Sequence, residues 1–195
     1  MMDESNLTKK LNLGCGRKKL AGYINIDSDM KCEPDVMMNI ENTPWPFRDG
    51  SITEIRMDSV LEHISIDPIK FFSVLQEIYR VCSDGALISI LCPHPFHRWQ
   101  IVDFTHQRSI DVEGVEMLSK AYCDELIRTG NAKTPLAHIY NIDFMLVEHK
   151  VYFDETAKKH IEAILGSFDM GKLDSYAHLF NNIIGGQHIL LKVIK

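Results

Sequence analysis

No apolar run in this chain approaches the roughly 20 residues needed to cross a bilayer, so no membrane span is expected. Positive charge is also scarce. Lysine and arginine number 21 against 27 aspartates and glutamates, a formal charge of −6. A general nucleic-acid binder needs a basic face to displace counterions from phosphates, so nucleic acid is not an expected partner. The five cysteines (Cys15, Cys32, Cys82, Cys92 and Cys123) are scattered and odd in number, and none pairs as C-x-x-C. That excludes a disulfide framework and a zinc knuckle, and predicts reduced thiols in a cytoplasmic protein. Cys82 and Cys92 flank or sit in apolar runs, as buried thiols do. The polar, acidic opening Met1–Ser5 predicts no secretory leader. Internal repeats, low-complexity tracts and Pro/Gly/Ser-rich linkers are missing, which predicts one domain over residues 1–195. The remaining composition, 45% hydrophobic and 25% charged, is that of a soluble globular chain.

What is present begins with Leu11-Asn12-Leu13-Gly14-Cys15-Gly16, followed by Ile24-Asn25-Ile26-Asp27. An apolar strand runs into a turn with two glycines, and a second apolar strand ends on a carboxylate. Glycine permits a sharp bend and close approach of a ligand to backbone. A carboxylate at the next strand tip can accept both hydroxyls of a ribose. Together they predict a nucleoside pocket at the carboxyl end of a parallel sheet. The dinucleotide fingerprint fails, because no third glycine follows at the right spacing and Asp27 lies only 13 residues beyond Gly14. A G-x-x-x-x-G-K loop is absent too. The pocket therefore suits a nucleoside without a phosphate chain.

Strands are expected over 9–14, 23–27, near 36–38 and near 52–57. Asp67-Pro68 is a helix start, an N-cap acceptor followed by proline at the first helical position. Apolar residues then recur at helical spacing from Ile69 to Tyr79, and Ser83-Asp84-Gly85 is expected to close the helix. Ala86–Cys92 is an unbroken apolar run, which predicts a strand covered on both faces. A helix over 113–129, a strand over 143–152, helices over 154–165 and 172–184, and a final strand over 187–194 complete the chain. The eight residues Cys15–Gly22 are too few for a full crossover helix, so the first helix should shrink to a turn or two. This order predicts an α/β fold with a mostly parallel sheet. The last two strands form an antiparallel edge with a helical insertion over about 154–184.

Five segments in this order resemble the class I S-adenosylmethionine-dependent methyltransferases, nearest to their short bacterial, type-11-like branch. They are Lys10–Gly16, Gly22–Asp27, Pro44-Trp45-Pro46-Phe47-Arg48-Asp49-Gly50-Ser51-Ile52, Ser59-Val60-Leu61-Glu62-His63-Ile64, and Glu77–Gly85. The resemblance covers about residues 9–108. It implies a doubly wound seven-stranded sheet with an antiparallel last strand, and S-adenosylmethionine as cofactor. Backbone at Leu13, Gly14, Cys15 and Gly16 would line the cofactor, Asp27 would take the ribose hydroxyls, and Asn39-Ile40 would take the adenine. Asp58 at the tip of the fourth strand joins this set. The family commonly has Asp-Leu where Asn39-Ile40 stands, and an acid or another polar residue where Asn12 stands. An asparagine oxygen can still accept from the adenine amino group.

The segment from Cys92 to Arg108 holds three histidines, two arginines, a carboxylate and Trp99 within 17 residues, just after the fifth strand. In an open α/β sheet this is where ligands sit. Asp103–Arg108 resembles a D-P-T-H-x-R sequence of the same branch, with Phe104 replacing the proline. Methyl transfer is an in-line displacement governed by positioning, and a hydroxyl nucleophile gains from a base. His97 or His106 is the expected base, with His94, Arg98, Asp103 and Arg108 binding the small-molecule substrate. Some members of the family hold a divalent ion on an E-x-x-E-H motif and a later histidine. Here Ser59 takes the first glutamate's place, leaving Glu62, His63 and His94 as three ligands. The preferred reading has Glu62 and His63 cap and anchor the next helix, and no metal is assigned. Tyr152, Phe153, Phe168, Tyr176 and Phe180 read as helix core, with a substrate lid or a homodimer face as the alternative. The expected function is O-methylation of a small polar acceptor, a sugar or metabolite hydroxyl. N-methylation of an amine or heterocycle, or a cofactor-binding partner without catalysis, is the alternative.

Overall fold

The computed structural model describes residues 9–167, 169–172, 176 and 181–195. Seven strands form one sheet: β1 (Lys9–Leu13), β2 (Ile24–Asp27), β3 (Val36–Met37), β4 (Ile52–Asp58), β5 (Cys82–Pro93), β6 (Phe144–Phe153) and β7 (Ile184–Val193). Their order is β3-β2-β1-β4-β5-β7-β6, with β1 to β5 paired in parallel and β7 antiparallel to both β5 and β6. The expected doubly wound sheet, mostly parallel with a reversed last strand, is thus the fold. Among the described residues the bounded α-helices are α1 (Pro68–Val81), α2 (Arg98–Val102), α3 (Val112–Glu116), α4 (Lys120–Thr129), α5 (Leu136–Tyr140) and α6 (Glu155–Leu165). Among the described residues no helix is long and apolar enough to cross a membrane.

The α1 start is where the sequence puts it. Asp67 accepts from the Ile69 N–H at 2.9 Å, and Pro68 opens the helix. Its end differs. The helix stops at Val81, and Cys82 pairs with Ile52 at once, so Ser83–Gly85 fall in an irregular stretch of β5 with Gly85 at φ +76°. The expected 113–129 helix is two helices, because Ser119 caps a new start and the break's carbonyls at Met117 and Leu118 accept from Ala137 and Phe144. Gly130 closes it in the left-handed region as expected. Residues 173–175 and 177–180 of the expected 172–184 helix, together with Phe168 and Phe180, lie outside the described residues, and Ile184 already belongs to β7.

One core runs along the sheet. Leu11, Leu13, Ile26, Ile55, Met57, Ile88, Ile90, Phe144 and Ile189 are almost fully buried and pack with Leu75, Ile78 and Val81 of α1. The other sheet face is thinner. Along β5 buried Ala86, Ile88, Ile90 and Cys92 alternate with exposed Leu87 and half-buried Ser89 and Leu91, so the strand is not covered equally on both sides. Short connections explain this. Between β1 and β2 there is no helix, only turns, and between β2 and β3 a single 3-10 turn at Met30–Cys32. Polar strand residues hold that face instead: Glu54 binds Lys10 at 2.7 Å and Tyr23, and Asp58 binds Arg56 at 2.9 Å. All five cysteines are free thiols. A small second core of Ile161, Tyr176 and Ile183 packs with Phe153. Tyr152 is half exposed.

Candidate active site

The β1 tip turns through Gly14 at φ +59° and Gly16 at φ +50°, a region costly for any residue with a Cβ. The Cys15 N–H bonds the Ile26 carbonyl at 2.9 Å. Asp27 then closes the turn: one carboxylate oxygen accepts from the Gly16 N–H at 2.8 Å, the other from the Asp29 N–H at 2.9 Å. Asn12 is buried and braces the same turn, donating to the Lys18 carbonyl at 3.0 Å and to the Asn25 side chain at 2.9 Å. Its amide does structural work here, a role the sequence left open.

A cavity of about 250 Å³ opens beside this turn. Gly14, Asp27 and Ser28 line one side, Met38 to Glu41 a second, and Ser59, Val60, His63 and Ile64 a third. Polar Asp27 and apolar Met38, Ile40, Val60 and Ile64 make a seat with a hydroxyl-binding end and a greasy slot. The Asn39 side-chain oxygen accepts from the Glu41 N–H at 2.9 Å, which leaves one lone pair on that oxygen. Of the expected cofactor set, the cavity takes Gly14, Asp27, Asn39 and Ile40. Leu13 and Cys15 are buried behind it, and Gly16 is not on its wall. Asp58 is elsewhere: its carboxylate is tied to Arg56 and, at 3.0 Å, to Lys18. Burial alone would raise its pKa, but those two cations bring it below the ordinary carboxylate value. It braces β4 against the β1–β2 turn.

A second cavity, about 340 Å³, shares Ser59 with the first. Leu91, Cys92 and Pro93 at the end of β5, Trp99, Tyr152 and Phe153, and Gly185 and Gly186 line it. Cys92, Pro93 and Trp99 lie in the segment singled out from sequence. The signal for the rest was the Gly185-Gly186 pair, since a Cβ on Gly186 would press on the Cys92 carbonyl at 3.4 Å and one on Gly185 would meet Trp99 at 3.5 Å.

The histidine segment resolves unevenly. His97 is 1% exposed. Its Nδ1 accepts from the Trp99 N–H at 3.2 Å as the N-cap of α2, so the ring proton sits on Nε2 and is donated to Asp154 at 3.3 Å. Asp154 in turn caps α6, accepting from Thr156 and Ala157. Both ring nitrogens are spent, and the expected role of His97 as base is corrected: it is a strut between two helix starts. His97→Gln is therefore expected to lower stability by about 1–3 kcal/mol, the usual cost of unpairing a buried polar group. Because His97 lies on neither cavity wall described above, ligand binding in the cavity beside Asp27 should stay within about twofold, which thermal melts and calorimetry together check. Arg98 is exposed and appears on neither cavity wall; its backbone N–H bonds Asn182. Arg108 lies with its guanidinium 3.6 Å from the Phe71 ring centre and donates to the Ser65 carbonyl at 2.6 Å. Stacked and half-buried, it supports the loop and is not a substrate clamp. His94 is half-buried against Phe96, and burial lowers its pKa. Asp103 is exposed, with its pKa lowered by hydrogen bonds from Thr105. His106 packs edge-on against His63 with ring centres 4.6 Å apart.

Glu62 and His63 form a 3-10 turn, Leu61–His63, and do not cap α1, which Asp67 does. The group that the structure gathers for a cation is Glu62, His63 and His106. His94, expected as the third ligand, is not in it.

No family model matches this sequence, and neither does any curated protein. Solved structures do share its architecture. A SAM-dependent methyltransferase from Archaeoglobus fulgidus aligns over 96% of this chain and 86% of its own, with 15% identity and a TM-score of 0.54. The YcgJ protein of Bacillus subtilis aligns over 96% and 92%, with 14% identity and a TM-score of 0.56. The [4+2]-cyclase SpnF aligns over 96% and 75%, with 12% identity and a TM-score of 0.55. At such identities the likeness is one of architecture, and this chain has the fold seen in SAM-dependent methyltransferases.

Proposed function

We propose that this chain binds S-adenosylmethionine in the cavity beside Asp27 and transfers its methyl group to a hydroxyl of a small acceptor held in the cavity beside Trp99. The observation that carries this is that two cavities lie on either side of one residue, Ser59, which lines both. A nucleoside seated with its ribose on Asp27 and its adenine against Met38, Ile40 and Ile64 points its 5′ substituent along Gly14. The second cavity begins within one residue of that wall. The fold alone does not supply the reaction, since it also carries a cyclase; the paired cavities are what support this reading.

The transfer breaks the S–CH3 bond as the O–CH3 bond forms, the electron pair goes to sulfur, and the acceptor's proton is released to solvent water. Most of the rate comes from holding oxygen, carbon and sulfur in line. Apolar walls at Leu91, Pro93 and Trp99 remove water from the nucleophile and give the acceptor's carbon body a surface to stack on, as a sugar ring or another hydroxylated ring would. His63 is the histidine on the donor cavity, and His106 backs it. Calorimetry with S-adenosylhomocysteine, followed by methyl transfer to a panel of hydroxylated and amino acceptors, tests this reading. Binding with transfer to hydroxyls is expected. Transfer confined to amines overturns the choice of acceptor atom, and absence of binding overturns the whole.

A further inference from the structure

Four buried side-chain atoms lack a hydrogen-bond partner among the described residues: both Glu62 carboxylate oxygens, Gln100 Oε1 and Arg108 Nε. They sit on the Leu61–His63 turn and on the loop bonded to it, where the Gln107 and Arg108 N–H groups donate to the Glu62 carbonyl at 2.8 and 3.3 Å. Glu62 itself is 0% exposed. A carboxylate buried with no donor is a costly arrangement unless something positive completes it.

The protons around it can be counted. The Thr105 hydroxyl has one hydrogen, and Asp103 takes it at 2.6 Å. The contact between that hydroxyl oxygen and His63 Nδ1, at 3.0 Å, must then be donated by the histidine. In the same way His106 Nδ1, 3.1 Å from the Gln100 carbonyl, can only donate. In the neutral rings both Nε2 atoms therefore carry lone pairs. Glu62, His63 and His106 each bring a ligating atom within 4.8 Å of the other two. Asp103 adds a further oxygen 3.8 Å from His106 Nε2. The Glu62, His63, His106 and Asp103 atoms gathered here all accept, and none of them donates.

We propose that Glu62, His63 and His106 hold a divalent transition-metal ion beside the donor cavity. Two imidazoles with one or two carboxylates suit Zn²⁺, Fe²⁺, Co²⁺ or Mn²⁺, not the all-oxygen shells of Mg²⁺ and Ca²⁺. The bonds from His63 to Thr105 and from His106 to the Gln100 carbonyl orient the rings as outer partners of metal-bound histidines do. Neighbouring ligands around one such ion stand roughly 3.4 Å apart, and the three here already lie within 4.8 Å of one another. Because His63 also lines the donor cavity, a bound ion would stand at the wall of that cavity, next to the seat proposed for the methyl donor. That last point rests on the methyl-transfer reading; the binding itself does not.

Cobalt titration of the full chain, stripped with chelator and desalted, tests the site. Saturation at one equivalent with visible tetrahedral or five-coordinate bands is expected, with displacement by Zn²⁺. His106→Asn and Glu62→Gln should each weaken Co²⁺ binding by about tenfold or more, while His94→Gln leaves it unchanged. No saturable Co²⁺ binding, equal binding by His106→Asn, or loss of binding in His94→Gln overturns the proposal. If Glu62→Gln does not fold, His106→Asn carries the test alone. S-adenosylhomocysteine calorimetry on the same samples keeps the two readings apart: nucleoside binding without Co²⁺ binding overturns only the metal, and the converse only the methyl donor.

Discussion

Asp27→Ala is expected to weaken S-adenosylhomocysteine binding by two to three orders of magnitude. A carboxylate that accepts both ribose hydroxyls makes two charged hydrogen bonds, each worth about 1.5–3 kcal/mol. Losing both removes roughly 3–5 kcal/mol, and each 1.4 kcal/mol is tenfold in affinity. Part of the loss is indirect. The same oxygens accept from the Gly16 and Asp29 N–H groups, so the turn that forms the cavity wall loosens as well. Asp27→Asn keeps one of these backbone bonds on its oxygen but sets its NH2 against the other N–H, so it loosens the turn as well as removing the charge. It should lose most of the affinity, and the drop in melting temperature of each variant reports the share of the loss that comes through the turn. Calorimetry on both variants is the measurement, and binding within threefold of the parent in Asp27→Ala would remove the ribose role.

Gly14→Ala should carry the largest stability cost of any single methyl added to the site. Its φ of +59° already disfavours a side chain. The added Cβ would also come within 2.5 Å of Val60 Cγ2, on a stiff, buried, β-branched neighbour with few rotamers to yield into. Overpacking and left-handed strain together cost about 2–4 kcal/mol. In a chain of this length that lowers the melting temperature by roughly 5–15 °C. Val60→Ala in the same background relieves the contact and not the φ, so the double variant should recover about half of the loss. Because both residues wall the donor cavity, nucleoside binding should fall with stability in the single variant. An unchanged melt in Gly14→Ala would contradict the packing described.

The turn at Gly14–Gly16 and the cavity beside Asp27 were legible in the motif segments, because their information is local. A glycine at positive φ, a carboxylate at a strand tip and a capped helix start each show in a few consecutive letters. The Asp67-Pro68 start is such a signal, whereas the reversed last strand came from the order of elements and the family resemblance. The acceptor side was less legible. His97 looks like a base in the sequence, and only its contact with Asp154, 57 residues away, shows it to be a strut. Arg108 looks like a clamp until Phe71 is found beneath it. His106 replaces His94 beside Glu62 because the 98–102 helix turns the chain back. None of these contacts leaves a periodicity or a spacing to read. The second cavity depends on Gly185 and Gly186 meeting Trp99 and Cys92, a pairing set by sheet register.

The order β5-β7-β6 has one further effect. β6 runs with the parallel strands and β7 runs back, so the segment between Phe153 and Ile184 both departs and returns on the sheet edge where ligands are held. Insertions or replacements there can reshape the cavity beside Tyr152 and Trp99 while β1, β2 and the cavity beside Asp27 stay as they are. Substrate preference in such a layout is free to diverge among descendants at little cost to folding.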